Sequence, residues 1–216
     1  LSIELYEKIL DDLKAVNYSG RVSYSGFGEP LLNPHHLDLI RATRKTLPDC
    51  WLDMVSNGDR ITAEKMIELH EAGLSTLLIS MYDGPEQIKH FEAMIAAAGV
   101  PREFVILRER YLPPEQGYGI NVTNRAGMVT VKEVGVTVLT EPMNHPCYYT
   151  HYRMMVDYNG DVILCPHDWG KRLIVGNLNE KSIVDLWTGR ILKSVRIRLG
   201  DADRNFPPCD KCDVLG

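Results

Sequence analysis

The 216-residue sequence has few of the features that mark membrane, secreted or nucleic-acid-binding proteins. No apolar run reaches the ~18 residues that a membrane span requires, and no signal peptide is visible in a chain that starts at Leu1. Positive charge is not in excess, because 24 Lys and Arg stand against 29 Asp and Glu, a net charge of −5. We therefore expect neither a membrane nor a nucleic-acid partner, since nucleic acids prefer a basic face.

Cysteine is also scarce, and the five cysteines are unevenly placed. Four of them fall in the last third of the chain: Cys147, Cys165, Cys209 and Cys212. The odd count and this metal-like grouping favour a reducing cytoplasm over a secreted disulfide scaffold. Cys50 lies between a predicted helix and a predicted strand, and we expect it to be a structural free thiol.

The segment between Cys147 and Cys165 predicts a β-hairpin. Asn159-Gly160 lies between alternating apolar residues, and both turn positions favour positive φ, so Cys165 would end the second strand. Four thiolates from three segments can surround one metal centre, and sulfur ligands select zinc, copper(I) or an iron–sulfur cluster. From ligand chemistry alone, a structural zinc ion ranks ahead of a cluster. Buried or disulfide-bonded cysteines are the weaker alternative.

The first half of the chain alternates predicted strands and helices with short links. Strand signals cover residues 21–25, 51–55, 74–79 and 103–107, and helix signals cover residues 1–15, 34–47, 62–72 and 85–98. This alternation predicts right-handed βαβ units and a parallel sheet or barrel. In such folds the site lies at the carboxyl ends of the strands. The sequence places these polar or flexible residues there: Gly28, Glu29, Ser56, Asn57, Ser80, Asp83 and Arg108.

The second half gives weaker signals. Residues 111–128 are loop-like, and residues 129–138 are predicted to form a last strand. After the hairpin, residues 174–178 indicate a short extended link. Ser182 is expected to cap a single helix that runs to about Leu199.

Together these motifs resemble those of radical S-adenosylmethionine (radical SAM) enzymes. Gly28-Glu29-Pro30 resembles the family's GGE-type motif, which holds the amino group of SAM, with Phe27 in place of the first glycine. Ser56-Asn57-Gly58 and Ser80-Met-Tyr-Asp83 resemble later strand-end motifs that touch the SAM carboxylate and ribose. The spacing of Cys147, Gly160 and Cys165 resembles the Cys…Gly-x4-Cys signature of the family's SPASM and twitch extensions.

The resemblance implies an α/β fold with two parts. Residues 1–138 would form a partial (β/α)6 TIM-like barrel, and residues 139–216 a small SPASM or twitch extension made of a β-hairpin and a helix. SAM would be bound by strand-end residues, namely Gly28, Glu29, Pro30, Ser56, Asn57, Ser80 and Arg108. The four grouped cysteines would hold a [4Fe–4S] cluster, which reverses the preference for zinc. A twitch form with one auxiliary cluster and a truncated SPASM form with two both stay open.

The Cys-x3-Cys-x2-Cys loop that binds the family's catalytic [4Fe–4S] cluster is absent from these 216 residues. In the family this loop precedes the helix that starts this chain, so we expect it upstream of Leu1. Without it, residues 1–216 are expected to be unable to cleave SAM. With that loop, the resemblance implies reductive cleavage of SAM, driven by a one-electron donor such as flavodoxin or ferredoxin.

The activity implied by the resemblance is that of an oxidoreductase. The 5′-deoxyadenosyl radical would take a hydrogen atom from a small polyol or sugar, and the auxiliary cluster would accept the remaining electron. This is similar to the family's twitch-bearing amino-cyclitol dehydrogenases. Modification of a peptide or protein side chain, as in sulfatase maturation, is one alternative, and a zinc-stapled noncatalytic binding module is another. Arg125, in Asn124-Arg-Ala-Gly127, resembles a loop near the substrate and is the candidate catalytic residue.

Overall fold

The computed structural model describes residues 1–116 and 122–216, so part of the predicted loop over residues 111–128 lies outside the described residues. The chain divides into two compact units. The sheet unit is Leu13–Asn121, and the cysteine unit joins Leu1–Asp12 to Val122–Gly216. The predicted domain boundary between residues 138 and 139 stays a prediction. None of the described helices combines the length and the apolar character needed to cross a bilayer.

The sheet unit confirms the α/β prediction. Its strands are β1 Arg21–Tyr24, β2 Trp51–Ser56, β3 Thr76–Met81 and β4 Val105–Glu109, and its helices are α2 His36–Thr46, α3 Ala63–Glu71 and α4 Glu86–Ala98, preceded by α1 Ile3–Ala15. The four strands are parallel and lie in the order β1-β2-β3-β4. Within the described residues they form an open sheet, without closure into a barrel.

One face of this sheet is apolar and covered by helices. Alternate residues of a strand point to opposite faces, and parallel partners in register share a face. Leu52, Met54, Leu77 and Ile79 share this face and are all fully buried. The Tyr24 hydroxyl donates to the Leu39 carbonyl oxygen of α2 at 3.3 Å, which fixes this helix against the strand. Burial of these side chains stabilises the unit by about 1.5–3 kcal/mol per residue.

The opposite face, called the polar face below, carries a different set of side chains. It contains Arg21, Ser23, Asp53, Thr76, Ser80 and Arg108, together with a few apolar residues. Trp51 and Ile106 lie on this face and are 54% and 47% exposed, whereas Asp53, Thr76 and Ser80 are buried. This face carries the charged and hydroxyl side chains of the sheet, which are suited to binding a polar ligand.

The cysteine unit contains a three-stranded antiparallel sheet and three short helices. Its strands are β5 Met155–Val156, β6 Asp161–Ile163 and β7 Ile174–Asn177, in the order β5-β6-β7, and its helices are α5 Tyr149–Tyr152, α6 Ile183–Trp187 and α7 Arg190–Gly200. The predicted hairpin is present, but only Gly160 of the two turn residues has a positive φ, at +90°, so the expectation of positive φ at Asn159 was wrong. The segment predicted as an extended link is β7, which pairs with β6.

Two further predictions for this unit were wrong. The single helix predicted from Ser182 to Leu199 is two helices, because Gly189 is extended and a Cβ there would meet the Asp185 carbonyl oxygen at 2.7 Å. Ser182 still caps the first of them, in a capping box with Asp185. The strand predicted over residues 129–138 is a tight turn around Gly135 at φ +76°, with one bridge between Val131 and Val136.

Candidate functional site

The four grouped cysteines of the cysteine unit line one cavity. The remaining lining residues are Tyr149, Thr150, Leu164, His167, Leu199, Arg204 and Val214. All five cysteines of the chain are free thiols, and Cys50 is buried in the sheet unit, where its thiol donates to the Tyr18 carbonyl oxygen. The structure thus brings together the residues that the sequence predicts as one ligand set, and it removes the disulfide alternative.

The ligand segments are held by irregular backbone with specific bonds. Cys147 precedes α5, and its amide donates to the Leu199 carbonyl oxygen of α7 at 3.0 Å. Cys165 follows β6 and begins a loop organised by Asp168, a fully buried carboxylate that accepts from the amides of Arg172 and Leu173, both at 3.0 Å. These bonds satisfy polar groups that no sheet or helix reaches.

Burial has the largest effect on the pKa values of three of the four thiols. It raises the pKa of Cys165 to about 12 and also raises the pKa values of Cys209 and Cys212. Neighbouring thiols of the set raise the pKa values of Cys165 and Cys209 further, whereas the Arg204 guanidinium acts in the opposite direction on Cys209 and Cys212. Such thiols keep their protons at neutral pH, and a bound metal centre is what makes them thiolate ligands.

The spacing of the thiols bears on the kind of metal centre. Four thiolates around one zinc ion, with Zn–S of about 2.3 Å, are roughly 3.8 Å apart. Across the described residues, no three His, Cys, Asp or Glu side chains are grouped closely enough to hold one metal ion. Four thiols around one cavity are the donor set of a [4Fe–4S] cluster as well as of a structural zinc ion.

Two polar side chains on the cavity wall were missed by sequence reasoning. The Thr150 hydroxyl is fully buried and has no hydrogen-bond partner in the described part of the chain. A buried orphan hydroxyl is costly unless it finds an acceptor, and the sulfur atoms of a cluster accept hydrogen bonds. Arg204 is 1% exposed. Neither residue lies in a motif, and only the folded chain places them beside the cysteines.

The polar ends of the sheet unit form a second candidate site. The Glu29 carboxylate accepts from the Leu31 amide at 3.1 Å and from the Asn57 amide at 2.8 Å, so it joins the segments that follow β1 and β2. A carboxylate has about four acceptor positions, so two are left for a ligand donor. Open space adjoins Gly28, and Pro30 begins the short helical turn after Glu29.

Ser80 and Arg108 are neighbours in register on the polar face. Arg108 is half-buried and makes no hydrogen bond or ion pair with any described residue. Burial and the charge of Arg110 lower its pKa. Ser56 differs, because it lies on the helical face and its hydroxyl accepts from the Gly58 amide at 3.0 Å. Its side chain therefore has a structural role at the turn.

The predicted catalytic residue Arg125 belongs to the cysteine unit. Its guanidinium lies 4.8 Å from the ring centroid of Trp169, in the loop that follows Cys165. Arg125 and Ala126 are both left-handed, at φ +50° and +55°, which is rare for residues with side chains. Such strain persists where the surrounding structure imposes it, and it is frequent at functional sites.

Comparisons with known proteins agree with this geometry. The model of the SPASM iron–sulfur cluster-binding domain matches residues 147–213. The S-adenosyl-L-methionine-dependent 2-deoxy-scyllo-inosamine dehydrogenase of Niallia circulans is 25% identical over 212 residues, 97% of this chain and 79% of that protein. Residues 147–213 therefore match a SPASM-type iron–sulfur cluster-binding domain, and the chain as a whole is similar to a SAM-dependent dehydrogenase.

Solved structures give the same radical SAM fold. BtrN in complex with AdoMet and 2-DOIA matches with a TM-score of 0.80 at 22% identity, covering all of this chain and 81% of that one. The anSMEcpe enzyme with bound AdoMet matches with a TM-score of 0.58 at 14% identity, covering 90% of this chain and 73% of that one. A cofactor-modifying protein for the tungsten-containing aldehyde ferredoxin oxidoreductase of Pyrococcus furiosus is 31% identical over 81 residues, 38% of this chain and 22% of that protein.

Proposed function

We propose that this protein is a radical SAM oxidoreductase that dehydrogenates a small polyol or amino-cyclitol. The observation that carries the proposal is the cavity with four cysteines, Cys147, Cys165, Cys209 and Cys212. A cluster with a cysteine on every iron has no open position for substrate, so its use is to accept an electron. An enzyme that removes a hydrogen atom and then an electron carries out a two-electron oxidation. The likeness to a 2-deoxy-scyllo-inosamine dehydrogenase over 97% of the chain supports this substrate class.

The sheet unit is proposed to hold SAM along its polar ends. Glu29 has acceptor positions left for the SAM ammonium, as a charge-assisted hydrogen bond. Arg108 has a guanidinium without a hydrogen-bond or ion-pair partner among residues 1–116 and 122–216, and it is suited to the SAM carboxylate. Gly28, Pro30, Asn57 and Ser80 would shape the same surface. Ser56, whose hydroxyl is engaged by Gly58, would support the turn rather than contact SAM.

The residues of this chain are proposed to bind and orient SAM and the substrate and to shield them from water. When bound, SAM and the two [4Fe–4S] clusters supply the hydrogen abstraction and the electron transfer. A catalytic cluster would take its ligands from the family's three-cysteine loop, which these 216 residues do not contain. Arg125 is proposed to orient a substrate hydroxyl, with its guanidinium held over Trp169. A flavodoxin or ferredoxin is proposed as electron donor, and the cytoplasm as location.

The test uses protein expressed from its complete reading frame, reconstituted anaerobically with iron and sulfide. With SAM, a low-potential reductant and 2-deoxy-scyllo-inosamine as probe, we expect 5′-deoxyadenosine and a ketone in equal amounts. Cys209→Ser should remove one cluster's worth of iron and abolish the ketone, whereas Cys50→Ser, outside the cavity, should do neither. Formation of 5′-deoxyadenosine with peptides but with no polyol or amino-cyclitol, or stoichiometric zinc in place of iron, would contradict the proposal.

A further inference from the structure

Arg204 is a buried cation for which no described residue supplies a counter-charge. Its side chain is 1% exposed, and no carboxylate in the described part of the chain lies within ion-pair distance of it. Every oxygen that it contacts is a backbone carbonyl. A guanidinium stays protonated in proteins, and a buried charge without an opposite charge is strongly unfavourable. Arg204 therefore requires an anionic partner.

The carbonyls that Arg204 contacts belong to two segments that flank the ligand cysteines. Nε donates to His145 at 2.8 Å and Nη2 to Pro146 at 3.2 Å, immediately before Cys147. Nη1 donates to Val214 at 2.7 Å and Nη2 to Leu215 at 3.0 Å, just after Cys212. One planar side chain thus fixes the approach of two ligand segments that are far apart in sequence. The Met143 sulfur, at 3.9 Å from Nη1, completes the contacts.

Arg204 also lines the cavity that the four cysteines share. Four thiolates outweigh the charge of the iron–sulfide core, so a cluster bound there is anionic, and it gains a further negative charge when it accepts one electron. A fixed positive charge at the cavity wall favours the reduced form over the oxidised form. Nearby charge and hydrogen bonds are known determinants of cluster potential.

We propose that Arg204 is the positioning residue of the auxiliary cluster, acting both as its counter-charge and as the clamp of its first and last ligand segments. The inference rests on the proposed function, because it requires a cluster on the four cysteines. The inference concerns a residue that is not a cluster ligand. It states that Arg204 controls how readily the cluster accepts an electron. No proton is transferred when the cluster accepts this electron.

The test compares Arg204→Gln, which keeps a donor but loses the charge, with Arg204→Lys, which keeps the charge but loses the planar fork. Arg190→Gln is the matched control, because it removes an exposed arginine of the same unit. Each variant is reconstituted anaerobically, its iron content is measured, and the cluster is titrated by visible absorbance and electron paramagnetic resonance. Arg204→Gln should lower the reduced-to-oxidised ratio at a fixed poise about tenfold, which is about 59 mV for one electron.

The outcomes separate the inference from the proposed function. Wild-type protein without a cluster on these cysteines would contradict the proposed function itself. With the cluster present, a lowered potential in Arg204→Gln and a near-native potential in Arg204→Lys and Arg190→Gln support the inference. Loss of the cluster from Arg204→Gln alone also supports it. A potential in Arg204→Gln equal to that of the wild type, or loss of the cluster from both Arg204 variants, overturns the assignment of its charge to the cluster.

Discussion

Replacement of Asn124 by alanine tests whether buried side-chain bonds hold the cysteine unit together. Asn124 is fully buried, and its amide nitrogen donates to the Lys211 carbonyl oxygen at 2.7 Å and to the Thr137 carbonyl oxygen at 3.1 Å. Its side-chain oxygen accepts from the amides of Gly127, at 3.2 Å, and Asp213, at 3.4 Å. One side chain thus joins the Arg125 loop to the segment that carries the last two cysteines.

The cost of Asn124→Ala follows from these bonds. A net hydrogen bond contributes about 1 kcal/mol, and a buried group that loses its partner costs about 1–3 kcal/mol. With one of the four bonds long at 3.4 Å, we expect the free energy of unfolding to fall by about 3 kcal/mol. For a chain of this size that lowers the melting temperature by about 6–12 °C. The ligand segments loosen together, so retention of the cluster should fall as well.

Thermal unfolding followed by near-ultraviolet circular dichroism measures the loss, and iron per chain measures cluster retention. Asn205→Ala is the control, because that side chain is exposed and should change the free energy of unfolding by less than about 0.5 kcal/mol. Asn124→Asp keeps the volume but removes both amide donors, so it should destabilise at least as much as alanine. A near-neutral Asn124→Asp would show that volume alone matters and would refute the reasoning, as would an Asn124→Ala protein that melts like the wild type.

Two further predictions concern the candidate sites directly. Thr150→Val removes a buried hydroxyl that has no hydrogen-bond partner among the described residues. Without the cluster the melting temperature of the variant should be unchanged or higher, and with the cluster the reduction potential of the cluster should fall. The same change in melting temperature with and without the cluster, at an unchanged reduction potential, would show that the hydroxyl does not contact the cluster. Glu29→Gln should weaken SAM binding, measured by calorimetry, by about 1.5–3 kcal/mol or roughly 10- to 100-fold, because a charge-assisted bond is lost. The exposed Glu103→Gln is its control, and equal affinities for the two variants would exclude Glu29 as the ammonium site.

Sequence reasoning succeeded where the signal is local. The hairpin turn at Asn159-Gly160, the Ser182 cap of α6 and the alternation of strands and helices follow from the preferences of a few adjacent residues, and the structure has each of them. Sequence reasoning failed where a single glycine interrupts a longer pattern. Apolar periodicity runs through Gly189 without a change, although the chain is extended there and forms two helices instead of one. Strand propensity over residues 129–138 was overridden by the turn at Gly135.

Only some residues of the candidate site could be predicted from the sequence. Cysteines are rare and their spacing is informative, so the ligand set could be proposed from the sequence. Arg204 and Thr150 are common residue types in unremarkable positions. Among the described residues, Thr150 is buried without a hydrogen-bond partner and Arg204 is buried without a counter-charge, and only the folded chain shows this. Burial of a polar group cannot be recognised from the sequence, but it indicates a functional or structural role once the structure shows it, because burial without a partner is energetically costly.

The cysteine unit shows why such groups accumulate around a metal centre. Its ligand segments are irregular, and their backbone polar groups cannot be satisfied by a sheet or a helix. Asn124, Asp168 and Arg204 supply the missing partners, each bonding to backbone groups of segments that carry or flank the cysteines. All three are buried, so each bond is made away from competing water. The shell of the cavity is thus held by hydrogen bonds within the chain itself, in addition to the four cysteines that would hold a cluster.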